Sequence, residues 1–242
     1  MSVLTTICAR KGSKGIRNKA FAKIGGRTLL DWTLAYALDH CARLGDVIVS
    51  SDSQKILTES VPYEGFMRHL RSKALAKDDT PKIAAVRDAV CSAEYAKKKQ
   101  YKYVIDLDIT NPIREAGDIE SALEMIRVNQ DAPNLFSATI SRKSPYFNIV
   151  EVENGRVDLS SRCGKPIVRR QDAPYTYDMN ASFYIYRRAF LGNEFDFNVG
   201  SNLSHIVRPN SLVCVMGQES AIDIDTPLDL VLVEAIMGTR NG

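Results

Sequence analysis

Short apolar runs, punctuated by glycine, proline and capping side chains, divide the chain into an alternation of strands and amphipathic helices. Val3 to Ala9 is apolar, rich in β-branched residues and closed by a glycine-bearing turn, the pattern of a buried strand. Leu29, Leu30, Thr33, Leu34, Ala37 and Leu38 then recur at helical spacing up to Leu44-Gly45, with Thr28 placed to cap the first turn. Asp46 to Asp52 reads as the next strand, and Ser51 to Ser53 opens a helix that stops before Pro62. In the third unit Thr80 is positioned as a cap and Pro81 in the first turn. Ile83, Val86, Val90 and Ala93 form its apolar face, and Lys97 to Lys99 reads as a solvated basic end. Tyr103 to Thr110 is a strand, Asp118 starts a helix buried through Ile119, Leu123, Ile126 and Val128, and Leu135 to Ser141 is a further strand.

This βαβαβαβαβ order with apolar strands predicts a parallel sheet covered by helices on both faces. From about Ser144 the rhythm breaks. Asn154-Gly155 sits between mostly alternating residues, a β-hairpin signature, and Ser160 to Met179 is polar and without period, as in a long loop or arm. Strand-like runs return at Ser182 to Arg188 and Leu212 to Met216, and Pro227 to Met237 reads as a closing helix. The expected organisation is a nucleotide-binding α/β core over residues 1–143, a hairpin and arm over 144–180, and the remainder of the core over 181–242.

With 242 residues, 45% of them apolar and 25% charged, the chain is long enough for one large α/β domain and lacks the bias of a disordered tail. A formal charge of +3 is too small for non-specific nucleic-acid or membrane binding, so functional positive charge must be local. No apolar run reaches membrane-spanning length and no cleavable signal pattern opens the sequence, so a cytoplasmic protein is expected. Cys8, Cys41, Cys91, Cys163 and Cys214 are scattered without a C-x-x-C pair and read as buried small hydrophobes.

In open parallel sheets ligands bind beyond the carboxyl ends of the strands, which places Arg10 to Lys19, Ser50 to Ser53, Asp108 to Arg114 and Ser141 to Ser144 together. The first segment carries Arg10, Lys11, Lys14, Arg17 and Lys19 around Gly12, Ser13 and Gly15. Glycines that permit positive φ and close backbone approach, ringed by cations, suit a polyphosphate. The spacing is neither Walker A nor G-x-G-x-x-G, and the alternative is a solvated basic turn. Near the other end, Asp223 and Asp225 alternate with Ile222 and Ile224, so both carboxylates project to one side, a spacing suited to one Mg²⁺ shared with phosphate oxygens. The alternative is that Asp225 or Thr226 caps the following helix, and Thr226 is read as such a cap. A cationic glycine turn with a carboxylate pair supplies the parts for phosphoryl or nucleotidyl transfer, which needs positioning and charge neutralisation more than a side-chain nucleophile.

"ARKGSKGIRNK", "LDITNPIR", "RRQDAPYTYDMNASFYIYRR" and "AIDIDTPLDL" stand in the order seen in CMP-sialic acid synthetases, the acylneuraminate cytidylyltransferases, and the chain resembles that family over nearly its whole length. The resemblance implies a Rossmann-like, mostly parallel sheet of the nucleotide-diphospho-sugar transferase type with a small dimerisation arm, hence a homodimer. It implies a reaction in which a nine-carbon 2-keto sugar acid attacks CTP to give a CMP-sugar and pyrophosphate. By matching positions, Arg10, Gly12, Ser13, Lys14 and Lys19 bind the triphosphate, with Lys19 nearest the reacting phosphorus. Arg71, Asp79 and Thr80 lie beside the cytidine, and Asp223 and Asp225 hold Mg²⁺. On the sugar side stand Asp108, Thr110, Asn111, Arg170, Gln171, Tyr177 and Asn180, with Arg170 pairing with the substrate carboxylate through its guanidinium fork.

The chain departs from the family pattern at Arg17 and Ala20, where many relatives have Pro and Asn, and in "DITNPIR", where sialic-acid enzymes commonly show "QPTSPLR". A carboxylate at Asp108 only accepts hydrogen bonds where a glutamine also donates, which points to a modified nonulosonic acid of the legionaminic type as the acceptor; the alternatives are that Asp108 joins the metal shell or is a satisfied strand-end carboxylate. The rival readings are a CMP-Kdo synthetase-like enzyme and a non-catalytic nucleotide-binding module. The first normally shows a "QGDEP"-type segment that this chain lacks, and the second is expected to lose the acid pair that this chain keeps.

Overall fold

The computed structural model describes residues 2–164, 167–192 and 206–240; residues 165–166 of the expected arm and 193–205 of the last core segment lie outside them. Its centre is a seven-stranded sheet in the order β11-β7-β10-β6-β1-β4-β5. The strands are β1 (Val3–Cys8), β4 (Asp46–Ser51), β5 (Met67–Leu70), β6 (Tyr103–Leu107), β7 (Asn134–Ile140), β10 (Tyr177–Arg187) and β11 (Leu212–Val215). β1 pairs in parallel with β4 and β6, β4 with β5, and β7 with β11. β10 runs antiparallel to both β6 and β7, so the expected parallel sheet is a mixed one.

The pleat sends alternate side chains of each strand into separate cores. Val3, Ile7, Val49, Ile105 and Phe183 pack beneath α1 (Leu29–Tyr36), α2 (Gln54–Glu59) and α4 (Asp118–Val128). Leu4, Ile48, Val104 and Tyr186 face Ile83, Val86, Val90 and Ala93 of α3 (Lys82–Lys97). A smaller cluster of Ile24, Leu29, Ile113, Ile224 and Val233 joins the two-stranded ribbon of β2 (Lys23–Ile24) and β3 (Arg27–Thr28) to α5 (Pro227–Arg240). That cluster draws the last helix against the start of the first.

Local chemistry explains most boundaries. The Thr28 side chain accepts from the Asp31 N–H, as a cap should. Thr226 and Asp229 form a reciprocal cap for α5: Thr226 Oγ1 takes the Asp229 N–H at 3.4 Å, and Asp229 Oδ2 takes the Thr226 N–H at 2.7 Å. Asn154 and Gly155 both have positive φ, 51° and 73°, joining β8 (Val150–Glu153) to β9 (Arg156–Leu159) in a ribbon exposed along both strands.

Several expectations are corrected. Thr80 does not cap α3: its hydroxyl donates to the Ala74 carbonyl, and Pro81 occupies the N-cap position. Leu38 and Val128 are exposed: Leu38 stands in a π turn, Ala37–Cys41, whose buried positions are Ala37 and Cys41, and Val128 is the last residue of α4, past its last buried position at Ile126. Lys97 and Lys99 are not simply solvated, since both ammonium groups reach Asp46, at 3.3 and 2.5 Å. β5 carries no clear apolar period, only a half-buried alternation at the sheet edge, and its sequence offers no strand signal. β10 begins at Tyr177, so Tyr177 to Asn180 belong to the sheet although they fall within the 144–180 segment.

Phe183, fully buried on β10, fills the seam between the two halves of the sheet. Phe183→Ala is expected to lower unfolding free energy by about 3–5 kcal/mol, measured by urea denaturation.

Candidate active site

The turn behind β1 and the segment before α5 meet. Lys19 Nζ lies 2.6 Å from Asp225 Oδ1, and a Cβ added at Gly15 would collide with the Asp225 carbonyl oxygen. Glycine is therefore required at 15 for close approach, and not for the positive φ expected from the sequence. The left-handed residue of this turn is Asn18, with φ 55°, whereas a Cβ at Gly12 would meet open space. The turn is pinned at its start by the Lys11 N–H, which donates to Asp52 Oδ1 at 2.8 Å.

Between this turn, α3 and the end of β6 lies a cavity of about 280 Å³. Arg10, Gly12, Ser13 and Lys19 line one side of it, Arg71 and Thr80 another, and Asp108 and Thr110 its floor. Of the remaining cations in the turn, Lys14 reaches the cavity edge, where it and Arg10 share Asp78, at 3.1 and 2.9 Å. Lys11 and Arg17 are exposed and do not line it. Asp79 is exposed as well, and its neighbour Asp78 takes the place at the cavity wall. Arg71 is buried and donates to the Ser50 carbonyl at 2.9 Å, fixing the wall to β4.

Asp223 accepts the Ala181 N–H at 3.0 and 3.1 Å and the Asn111 amide at 3.2 Å. Burial, with the like charges of Asp108 and Asp225, nevertheless pushes its carboxyl above the usual range. Ile224, between the two acids, is fully buried, so the apolar position of the alternation faces the core; Asp225 is exposed, whereas Asp223 is half-buried and tied to Ala181 and Asn111. Asn111 and Asn180 are buried beneath this segment and both donate to the Ser220 carbonyl, at 2.7 and 2.8 Å. The Thr110 carbonyl takes the Ile224 N–H at 2.9 Å. These bonds hang the acid segment on the ends of β6 and β10.

Arg170 and Gln171 line a second cavity of about 280 Å³ with Ser141, Lys143, Ser144 and Tyr175. The Arg170 guanidinium donates to the Ser141 carbonyl at 3.0 Å, and Tyr177 is partly exposed at the start of β10. The structure thus places Arg10, Gly12, Ser13, Lys19, Arg71 and Thr80 around one cavity together with Asp108 and Thr110 of the expected sugar side, leaves Asp79 outside it, and places Arg170 with Gln171 at another. A third cavity, of about 500 Å³ between Trp32, Tyr36, Arg114 and Met237, takes in Pro112 to Arg114 of the segment singled out from the sequence but none of the residues carried over for the triphosphate or the sugar.

Three charged residues lining the first cavity were not anticipated: Lys77, Asp78 and Lys82, the last lying 2.6 Å from the buried Asp106 and 2.8 Å from Asp108. Burial opposes its charge, yet the two carboxylates hold Lys82 protonated well above the ordinary lysine range. Burial raises Asp106, only partly offset by Lys82. For Asp108 burial is outweighed by Lys82 and Thr110, leaving the carboxyl below its usual range. The signal was present in "VIDLD": two acids at alternate positions of an otherwise apolar strand require a buried cation. Cys8, at the cavity wall, is no nucleophile, because burial and then Asp106 push its thiol up to about 12.

A mostly parallel sheet with a cationic turn behind its first strand, met by an acidic segment beside a cavity, has the charge layout of a site that positions phosphates. A family profile described as cytidylyltransferase matches residues 5–220, and the chain belongs to that family of nucleotidyltransferases. Post-translational flagellin modification protein B of Campylobacter coli is 35% identical across 99% of this chain and 96% of its own length. The CMP-N,N'-diacetyllegionaminic acid synthase of Campylobacter jejuni is 36% identical across the same shares. N-acylneuraminate cytidylyltransferase of Escherichia coli is 25% identical across 99% of this chain, which spans 53% of that enzyme. Among solved structures, a CMP:2-keto-3-deoxy-manno-octonic acid synthetase complexed with CTP superposes with a TM-score of 0.69 at 18% identity, covering 99% of this chain and all of that one. A 4-diphosphocytidyl-2C-methyl-D-erythritol synthase gives 0.63 at 12% identity, covering 98% and 99%. At those identities the likeness is one of fold.

Two outcomes follow from the geometry. Gly15→Ala forces the turn away from Asp225 and should lower kcat/KM by about 10²-fold, since a misplacement near 1 Å has that effect, with little change in unfolding midpoint. Asp78→Asn frees Arg10 and Lys14 from an exposed carboxylate and should tighten CTP binding by a few-fold at low salt, the gain fading at high salt.

Proposed function

We propose that the chain transfers CMP from CTP to a nine-carbon 2-keto acid of the nonulosonic class, with a legionaminic-type acid as the preferred acceptor. The anomeric hydroxyl attacks the α-phosphorus, the bond to the bridging oxygen breaks, and pyrophosphate leaves with the electron pair. The observation that carries the reading is the meeting of Lys19 with Asp225 beside a cavity lined by Arg10, Gly12 and Ser13. The acceptor class is supported by the 36% identical relative named as a CMP-N,N'-diacetyllegionaminic acid synthase and by Asp108 at the cavity floor, where the sialic-acid pattern has an amide.

Arg10, Lys14 and Lys19 hold the triphosphate by charge-assisted bonds, with Ser13 and the open face of Gly12 admitting its oxygens. The acids at 223 and 225 fit a Mg²⁺ that takes most of its ligands from phosphate and water. They supply hard oxygen donors on one side of an extended segment, and a divalent cation would relieve the like-charge crowding that raises Asp223. Bound there, Mg²⁺ would neutralise charge on the phosphates.

The proposed assembly is a homodimer in which the ribbon β8–β9 and the arm after it cross to a second copy. Val150, Val152, Val157 and Leu159 are exposed on the ribbon, and the cavity of Arg170 and Gln171 is separate from the nucleotide cavity of the same chain. No helix among the described residues is long and apolar enough to cross a membrane.

Pyrophosphate release with CTP and Mg²⁺ should be fastest with N,N'-diacetyllegionaminic acid in a panel that includes pseudaminic acid, N-acetylneuraminic acid and Kdo. Preference for N-acetylneuraminic acid would reject the acceptor assignment, and release with none of them would reject 2-keto acids altogether. Lys19→Gln should lower kcat by about 10²- to 10³-fold.

A further inference from the structure

Lys82 heads α3, the end of a helix where the backbone dipole least favours a cation. It is held there by Asp106 Oδ2 and Asp108 Oδ2, at 2.6 and 2.8 Å, with its ammonium 5.4 Å from the centre of the Tyr184 ring. Asp106 is fully buried in β6 and anchored by the Thr6 hydroxyl at 2.8 Å. Asp108 lies one turn of the pleat further on, and both it and Lys82 line the cavity that Arg10 and Lys19 line from the opposite side. The remaining ionisable groups around this floor are Cys8, Arg71, Tyr186, Asp223, Tyr184, and Arg114, whose guanidinium donates to the Ser182 and Asp108 carbonyls. Burial keeps the thiol and the phenols neutral, and Arg71 is tied to the Ser50 carbonyl. Lys82 is thus the cation that meets both acids.

A carboxylate floor is the wrong surface for a polyanion. A unit charge several ångströms from a triphosphate, in the intermediate dielectric of a cleft, changes affinity by about tenfold or more. We propose that Lys82 is a positioning residue for the nucleotide: by neutralising the Asp106–Asp108 pair it lets the phosphates lie across the cavity floor, acting through Asp108 and not by gripping the phosphates itself. This concerns nucleotide binding alone and holds whichever acid is the acceptor.

Charge and packing are separated by a series of ligands that differ only in phosphate number. Dissociation constants for cytidine, CMP and CTP, with Mg²⁺ present, are measured by displacement of a fluorescent CTP analogue. Lys82→Met should weaken CTP by about tenfold or more, CMP by less, and cytidine by under about twofold. Lys82→Arg should stay within about threefold of the parent for all three. The double variant K82M/D108N should recover most of the CTP affinity, because the carboxylate that Lys82 balances is gone. Equal loss for all three ligands would reassign Lys82 to packing, and no recovery in the double variant would reassign it to direct phosphate contact; either overturns the proposal. Should Lys82→Met fail to fold, K82M/D106N removes both members of the buried pair and leaves Asp108 unbalanced, and the same ordering of losses is expected there.

Discussion

The site depends on how closely the turn behind the first strand can lie against the segment before the last helix. With no side chain at Gly15, the backbone of the turn reaches the Asp225 carbonyl, and Lys19 then closes the gap to the Asp225 carboxylate. Two stretches some two hundred residues apart thereby become the walls of one cleft. The rest of the fold serves this meeting. Ile224 is sunk into a cluster with Ile24, Leu29 and Val233, and Asn111 and Asn180 tether the neighbouring Ser220 carbonyl, so the acid segment has little freedom to retreat.

Charge in the cleft is arranged in opposed pairs. Asp78 faces Arg10 and Lys14, Asp225 faces Lys19, and Asp106 with Asp108 faces Lys82. The pairs differ in depth, and depth decides their role. The Asp78 contacts are exposed and easily exchanged for phosphate, whereas the Lys82 contacts sit over a fully buried acid and are fixed with the fold. Cations at the rim are therefore free to change partners when a nucleotide arrives, and those at the floor set the background potential that it meets.

Much of this was legible in the sequence because the informative signals are local. Strand β1, the cap at Thr28, the Asn154-Gly155 turn, the α4 face and the Asp223-Ile224-Asp225 alternation each depend on neighbours within a few residues, and each stands where the pattern places it. What the pattern missed depends on distant partners. Nothing within the stretch Tyr177 to Arg187 says that it pairs antiparallel between β6 and β7, and β5 has too little apolar character to be recognised without β4 beside it. At the site, Gly15 was singled out for its backbone freedom, but its use is steric and set by Asp225. Lys82 was not singled out at all, because its partners lie on another element.

The reversed strand β10 also bears on how the molecule is made. β6 and β7 follow one another in the chain, yet they never pair; the slot between them is filled by a segment synthesised only after the ribbon and the long arm have emerged. Until then a ribosome-bound chain carries two unpaired strand edges, the kind of template on which foreign strands add. Insertion of β10 closes that slot and at the same stroke delivers Asn180 and Ala181 to the acid segment. Sealing the sheet and completing the cleft are thus one event late in biogenesis, so a chain truncated before that strand would lack its cleft as well as its seam.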